Sequence, residues 1–190
     1  MKLLEEKILK DGKAIGSEIV KVDNFLNHQL DVKIMDEMGK EIARLFAGRG
    51  VNKILTVEAS GIAIACAAAM HMDCVPVVFA KKAAPSTMNE EFLAAEARSF
   101  TKGTVSLLRV AKKYIAPEDV ILIVDDFLAT GEASLALVDI AHQGGAKVAG
   151  FTAAIEKQWQ GGAEKLRAQG VDVQSLAVIR EICDGQIEFA

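Results

Sequence analysis

The sequence predicts an α/β protein with an open, mostly parallel sheet flanked by helices. Residues 120–124 are all apolar, which is typical of a parallel strand covered on both faces. Residues 53–57 and 147–155 are similar runs, and segments with helical spacing lie between the strands. Ligands of such sheets bind beyond the carboxyl ends of the strands, so the residues of a functional site should follow these runs.

The first 50 residues predict two helices and an edge strand. Apolar residues at helical spacing indicate a short helix that ends at Gly12, and residues 18–22 alternate polar with apolar, as an edge strand does. A longer amphipathic helix should begin after the N-cap Asp31 and end before Gly48.

The middle of the chain predicts regular elements followed by an irregular region. An alanine-rich helix is expected at 62–71 and a strand at 75–80. Residues 81–98 are expected to form a mobile loop at the site, and residues 97–110 two strands that turn near 102–103.

The last third of the chain predicts a helix at 132–143 that ends at Gly144, before the strand at 147–155. No internal repeat or linker divides the sequence, so residues 1–190 are expected to form a single domain.

Composition limits the class of function. The formal net charge of −4 disfavours nucleic acid or an anionic membrane as the main partner. No apolar run is long enough for a membrane span, and charged residues interrupt the first 20 residues, so no signal peptide is expected. The three cysteines have no metal-ligand spacing, and we expect buried free thiols in a reducing cytoplasm.

Residues 120–133 carry the chemistry, because two acids and a small-residue loop follow the buried strand. Asp125 and Asp126 suit the hydroxyls of a ribose, which donate hydrogen bonds to carboxylates. Backbone N–H groups at the start of the next helix suit a phosphate. The loop residues are Ala129, Thr130, Gly131, Glu132 and Ala133.

This segment resembles the 5-phosphoribosyl pyrophosphate signature of type I phosphoribosyltransferases. The resemblance implies that Asp125 and Asp126 are catalytic and hold the 2′- and 3′-hydroxyls, while residues 129–133 hold the 5′-phosphate. An ordinary strand-to-helix turn capped by aspartates is the alternative.

A second loop precedes its own helix, at the position of the pyrophosphate loop in that family. Glu58, Ser60 and Gly61 belong to it, and Lys81 and Lys82 follow the next strand, where cations could neutralise departing pyrophosphate. The alternatives are a simple connection and two solvated lysines.

Two positions depart from the family's hypoxanthine-guanine enzymes, whose loop commonly begins with an aspartate proposed as base for the purine and commonly closes with a threonine. Ala129 and Ala133 stand at these positions in this chain. Catalysis would therefore depend on stabilising a ribooxocarbenium-like transition state and on an acidic purine, rather than on a side-chain base.

Residues 21–29, 76–82 and 99–102 look like those of bacterial xanthine phosphoribosyltransferases, and this resemblance covers nearly the full chain. It implies that residues 1–30, with the C-terminal region, form a small hood over the base. Four positions would contact xanthine: Val20, Asn27, Phe127 and Lys157. Asn27 and Lys157 can donate to carbonyl oxygens, which fits a dioxopurine better than adenine.

The resemblance implies a purine salvage enzyme that makes xanthosine 5′-phosphate and pyrophosphate. Magnesium is expected, carried mainly by the substrate pyrophosphate rather than by a metal site of the protein. A homodimer is also implied. Guanine, hypoxanthine or adenine as the base, and a non-catalytic regulator that senses phosphoribosyl pyrophosphate, stay open as alternatives.

Overall fold

The computed structural model describes residues 1–82, 91–99 and 104–190, and its largest sheet has six strands. The strands of this sheet are β3 (Lys53–Val57), β4 (Val77–Ala80), β7 (Val120–Leu128), β8 (Lys147–Lys157), β9 (Ala177–Cys183) and β10 (Gln186–Phe189). Their order is β10-β9-β8-β7-β3-β4, and all neighbours are parallel except β10 and β9. The predicted open, mostly parallel sheet is confirmed.

Both faces of the sheet are covered, which explains the continuous apolar run in β7. Ile121 and Ile123 belong to the core on one face, and Leu122 and Val124 to the core on the other. Helices α2 (Val32–Leu45) and α3 (Ser60–Met70) contribute to one core, and α4 (Glu132–Gln143) and α5 (Gly162–Ala168) to the other.

The order of the strands creates a crevice between β3 and β7. From β3 the chain continues to β4 on one side, and it later returns to β7, β8 and β9 on the other. A reversal of this kind leaves a gap above the carboxyl ends of the two central strands, where ligands of such sheets bind.

Local sequence accounts for the two helices on one face. The Asp31 carboxylate accepts hydrogen bonds from Lys33 N at 3.1 Å and Ile34 N at 3.4 Å, so the predicted N-cap of α2 is confirmed. Gly39 then lets α2 approach α3 closely, because a side chain there would collide with the carbonyl of Ala67.

A separate antiparallel hairpin, β5 (Phe92–Ser99) and β6 (Thr104–Ala111), packs against α4. The prediction of a loop over 81–98 is therefore wrong for residues 92–98. Leu93, Ala95 and Ala97 are buried in alternation with more exposed neighbours, a strand pattern that small alanines make hard to recognise in the sequence. Residues 83–90 of the predicted loop fall outside the described residues, as does the predicted turn near 102–103.

The N-terminal segment lies beside the carboxyl half of the chain. Helix α1 (Lys2–Asp11) is followed by the hairpin of β1 (Lys13–Ile15) and β2 (Ile19–Lys21) and by a π-helical turn, Asp23–Asn27. Apolar residues of this segment and of β9 share one core, and the amino group of Met1 donates to the Leu176 carbonyl.

Among the helices of the described residues, none has both the length and the apolar character needed to span a bilayer. Cys66, Cys74 and Cys183 are free, as predicted, but they are exposed rather than buried.

Candidate active site

A cavity of about 640 Å³ lies at the carboxyl end of the sheet, beside β7. It brings together several of the predicted residues, from segments far apart in sequence: Lys82, Phe127, Ala129, Thr130, Gly131, Glu132, Ala133 and Lys157. The other predicted residues lie outside its lining: Val20, Asn27, Glu58, Ser60, Gly61, Lys81, Asp125 and Asp126.

The loop 129–133 forms one wall of this cavity and leads directly into α4. Gly131 has a φ of 81°, in the left-handed region that favours glycine, and its carbonyl accepts from Leu135 N at 2.8 Å. The first-turn N–H groups of a helix have no partner within the helix, and the positive end of the helix dipole lies there. The wall is therefore suited to an anion.

The start of α5 supports this loop from behind. Gly162 N donates to the Ala129 carbonyl at 3.1 Å, and no side chain fits at Gly162 because the loop backbone is too close. Lys165 Nζ donates to the Thr130 carbonyl and to a Glu132 carboxylate oxygen, both at 2.9 Å. Two segments of backbone and one ammonium group thus fix the shape of the loop.

Asp125 is buried behind the loop, with only 5% of its surface exposed. Burial raises the pKa of its carboxyl well above the usual range, and the neighbouring Asp126 charge raises it further. The backbone N–H of Asp126 donates to Asp125 Oδ1 at 2.9 Å, which opposes these effects.

Asp126 is partly exposed and connects the acid pair to the N-terminal segment. Its Oδ2 accepts a hydrogen bond from Asn27 Nδ2 at 3.1 Å. Asn27 therefore lies beside the acid pair.

The second predicted loop packs directly against the first acid. A Cβ atom at Gly61 would lie 3.3 Å from Asp125 Oδ1 and would collide with the hydroxyl of Thr56, so only glycine fits between them. In the same loop, Glu58 Oε1 accepts from the backbone N–H of Lys82 at 2.7 Å. The two loops and the lysine that follows β4 are thus part of one arrangement.

Lys157 and Phe127 also line the cavity. The Lys157 ammonium lies 5.6 Å from the centre of the Phe127 ring and donates to the Glu18 carbonyl at 2.7 Å. Burial lowers the pKa of Lys157, and the charge of Glu18 opposes this change. Val20, which belongs to β2, is buried in the core, while its neighbour Ile19 lines the cavity.

Comparisons with known proteins identify the family. The chain is 50% identical to xanthine phosphoribosyltransferase of Ruminiclostridium cellulolyticum, over 100% of this chain and 99% of that protein. It is also 50% identical to the enzyme of the same name from Moorella thermoacetica, over 100% of this chain and 96% of the relative.

The chain belongs to the xanthine phosphoribosyltransferase family. Its fold is that of type I phosphoribosyltransferases: a crystal structure of adenine phosphoribosyltransferase from Rhodothermus marinus superposes with a TM-score of 0.74. That match has 20% sequence identity and covers 94% of this chain and 100% of the other. No family model matches the chain.

Several residues of this phosphoribosyltransferase site were missed by sequence reasoning. Glu18, Ile19, Arg98 and Gln160 line the cavity, and Gly162 supports the loop 129–133. Helix α5 begins at a glycine pair and has 7 residues, so its sequence pattern is weak. The glycine pair 161–162 was the available signal, because such pairs often mark a close approach of backbone.

Proposed function

We propose that this chain transfers the 5-phosphoribosyl group of 5-phosphoribosyl pyrophosphate to xanthine, giving xanthosine 5′-phosphate and pyrophosphate in purine salvage. The observation that carries the proposal is the cavity that the loop 129–133, Phe127 and Lys157 line together, directly after the acid pair in β7. The names of relatives that share about half of the sequence support xanthine as the base.

Phosphoribosyl pyrophosphate would lie across the crevice, between the two strand ends. Residues 129–133 would bind the 5′-phosphate through backbone N–H groups and the Thr130 hydroxyl. Asp125 and Asp126 would hold the ribose hydroxyls and stabilise positive charge as it develops on the sugar. The loop of Glu58, Ser60 and Gly61 would receive the pyrophosphate, with Lys81 and Lys82 as the cations.

The carboxylates present fit a magnesium ion that travels with the substrate. Magnesium is usually held by one or two carboxylates together with substrate phosphates and water, and the partly exposed Asp126 is such a carboxylate. When bound, the ion would neutralise charge on the departing pyrophosphate. Asp125 and Asp126 would keep the ribose oxygens oriented toward it.

Xanthine would occupy the side of the cavity that Phe127 and Lys157 line. Phe127 offers an aromatic face for stacking, and Lys157 can donate to a carbonyl oxygen or stabilise a xanthine anion. Residues 1–30 would form the hood, in which Asn27 donates to the base or to Asp126, and the buried side chain of Val20 in β2 joins the hairpin to the core.

We also propose a cytoplasmic homodimer. Three free cysteines are compatible with a reducing compartment, and exposed apolar residues such as Val32 and Met70 could contribute to an interface. Sedimentation analysis at micromolar concentration measures the oligomeric state directly.

Steady-state competition among xanthine, guanine, hypoxanthine and adenine tests the reaction. We expect the highest kcat/KM for xanthine, and in Lys157→Met a loss for xanthine on the order of 100-fold, because a charged hydrogen bond to the base is removed. Asp125→Asn combined with Asp126→Asn should abolish turnover with every base. A preference for another purine would contradict xanthine, and no pyrophosphate release with any purine would contradict the enzyme.

A further inference from the structure

Glu18 contacts three donors that come from one short stretch of chain. It lies in the turn between β1 and β2, and its carbonyl accepts from Lys157 Nζ at 2.7 Å. Its carboxylate Oε2 accepts from Trp159 Nε1 at 3.3 Å and from Gln160 Nε2 at 2.9 Å. The turn of the hairpin is thus joined by three hydrogen bonds to the end of β8 and to the 3-10 turn Gln158–Gln160 that follows it.

These contacts lie at the side of the cavity assigned to the base. Glu18, Ile19, Lys157 and Gln160 all line it together with Phe127. The hairpin of β1 and β2 forms no backbone ladder with the six-stranded sheet. Because a two-stranded hairpin is only marginally stable alone, its position depends on side-chain contacts such as these.

We propose that Glu18 is a positioning residue for the base. The Glu18 carboxylate holds the hairpin turn in place, and the backbone carbonyl of Glu18 can then orient the Lys157 ammonium toward the cavity. The proposal rests on the proposed function, since it assigns a task to the same base site. An ammonium on a flexible four-carbon stem has three donors. The Glu18 carbonyl takes one of them, which leaves two for a carbonyl oxygen or an anion of the base.

Charge gives Glu18 a second effect on the same lysine. Its carboxylate raises the pKa of Lys157 and so opposes the effect of burial. Loss of this carboxylate should therefore move the alkaline limb of the pH profile for xanthine to lower pH, because Lys157 would lose its proton more easily. A residue with a merely structural role would leave that limb in place.

The test compares Glu18→Ala and Glu18→Gln with Lys13→Ala, which changes an exposed residue of the same hairpin outside the cavity lining. In Glu18→Ala we expect the KM for xanthine to rise about tenfold, with less than a twofold change in the KM for phosphoribosyl pyrophosphate. Glu18→Gln keeps an acceptor oxygen and should recover part of the loss, without recovering the pH profile. Lys13→Ala should behave as wild type.

Fluorescence supplies an independent measurement, because the chain has 1 tryptophan and it is Trp159. Glu18→Ala should change its emission in the absence of substrate, whereas Lys13→Ala should not. An unchanged KM for xanthine in both Glu18 variants would overturn the proposal, as would an equal rise in both KM values. If wild-type enzyme failed to use xanthine, the proposed function would fail, while the emission change would still report the contact of Glu18 with Trp159.

Discussion

Gly162→Ala tests whether the support that α5 gives to the loop 129–133 matters for substrate binding. Gly162 begins α5 with no left-handed φ, so an alanine there meets no backbone strain. The new Cβ atom would lie 2.3 Å from the Ala129 carbonyl oxygen and 2.8 Å from Gly131 N. The first distance is about 1 Å shorter than an ordinary van der Waals contact. The loop backbone must therefore move by a similar distance, away from the start of α5.

The expected loss follows from that displacement. Misplacing a binding group by about 1 Å can reduce catalysis on the order of 100-fold. We expect the kcat/KM for phosphoribosyl pyrophosphate to fall by about this factor. The stability of the chain should decrease by about 1–3 kcal/mol, as for other overpacked sites. Initial rates at varied phosphoribosyl pyrophosphate and saturating xanthine measure the first effect, and urea unfolding measures the second.

Gly39→Ala is the matched control. A Cβ atom at Gly39 would collide with the Ala67 carbonyl as closely as one at Gly162 does with Ala129, but between α2 and α3 and outside the cavity lining. It should lower stability to a similar extent and leave the KM for phosphoribosyl pyrophosphate unchanged. If Gly162→Ala behaved in the same way, the role given to the start of α5 would be refuted.

Two further predictions concern buried polar groups. Thr56 and Thr152 are both fully buried. Within the described residues the Thr56 hydroxyl has no hydrogen-bond partner, whereas Thr152 Oγ1 donates to the Gln174 carbonyl at 2.6 Å. Urea unfolding should show that Thr56→Val raises stability by about 1 kcal/mol and that Thr152→Val lowers it by about 1 kcal/mol or more; equal signs would contradict this assignment. Asp125 has a raised pKa, so its folded form binds a proton more tightly than the unfolded chain, and its contribution to stability falls as the pH rises from about 4 through the folded pKa. Asp125→Asn should therefore gain Tm relative to wild type over that pH range, and a Tm difference that does not change with pH would contradict the burial argument.

The elements that the sequence predicted well are those whose own residues show a clear apolar or amphipathic pattern. The run at 120–124 and the amphipathic residues after Asp31 identify β7 and α2 without reference to the rest of the chain. The end of β7 could not be found in this way. The strand continues to Leu128 because β8 pairs with it as far as Glu156, and the sequence of β7 alone does not contain that information.

The same distinction applies to the site. The acids and the loop 129–133 form one contiguous motif, so their meeting could be predicted. Gly162 supports that loop from a distant part of the sequence and has no side chain to reveal it. Glu18 was missed because its role depends on the hairpin lying over the end of β8, which is a tertiary contact.

The choice of base can be argued from the ionisable groups next to the loop. Residues 120–133 contain three such side chains, Asp125, Asp126 and Glu132. Asp125 is buried with a raised pKa, Asp126 accepts from Asn27, and Glu132 is paired with Lys165. None of the three lies at the position of Ala129, so we expect loss of the purine proton to depend on the acidity of the purine itself. We expect an acidic dioxopurine beside the Lys157 ammonium to meet that requirement, whereas adenine, which also has to lose a ring proton, presents an amino group rather than a carbonyl oxygen and forms no charge pair with Lys157.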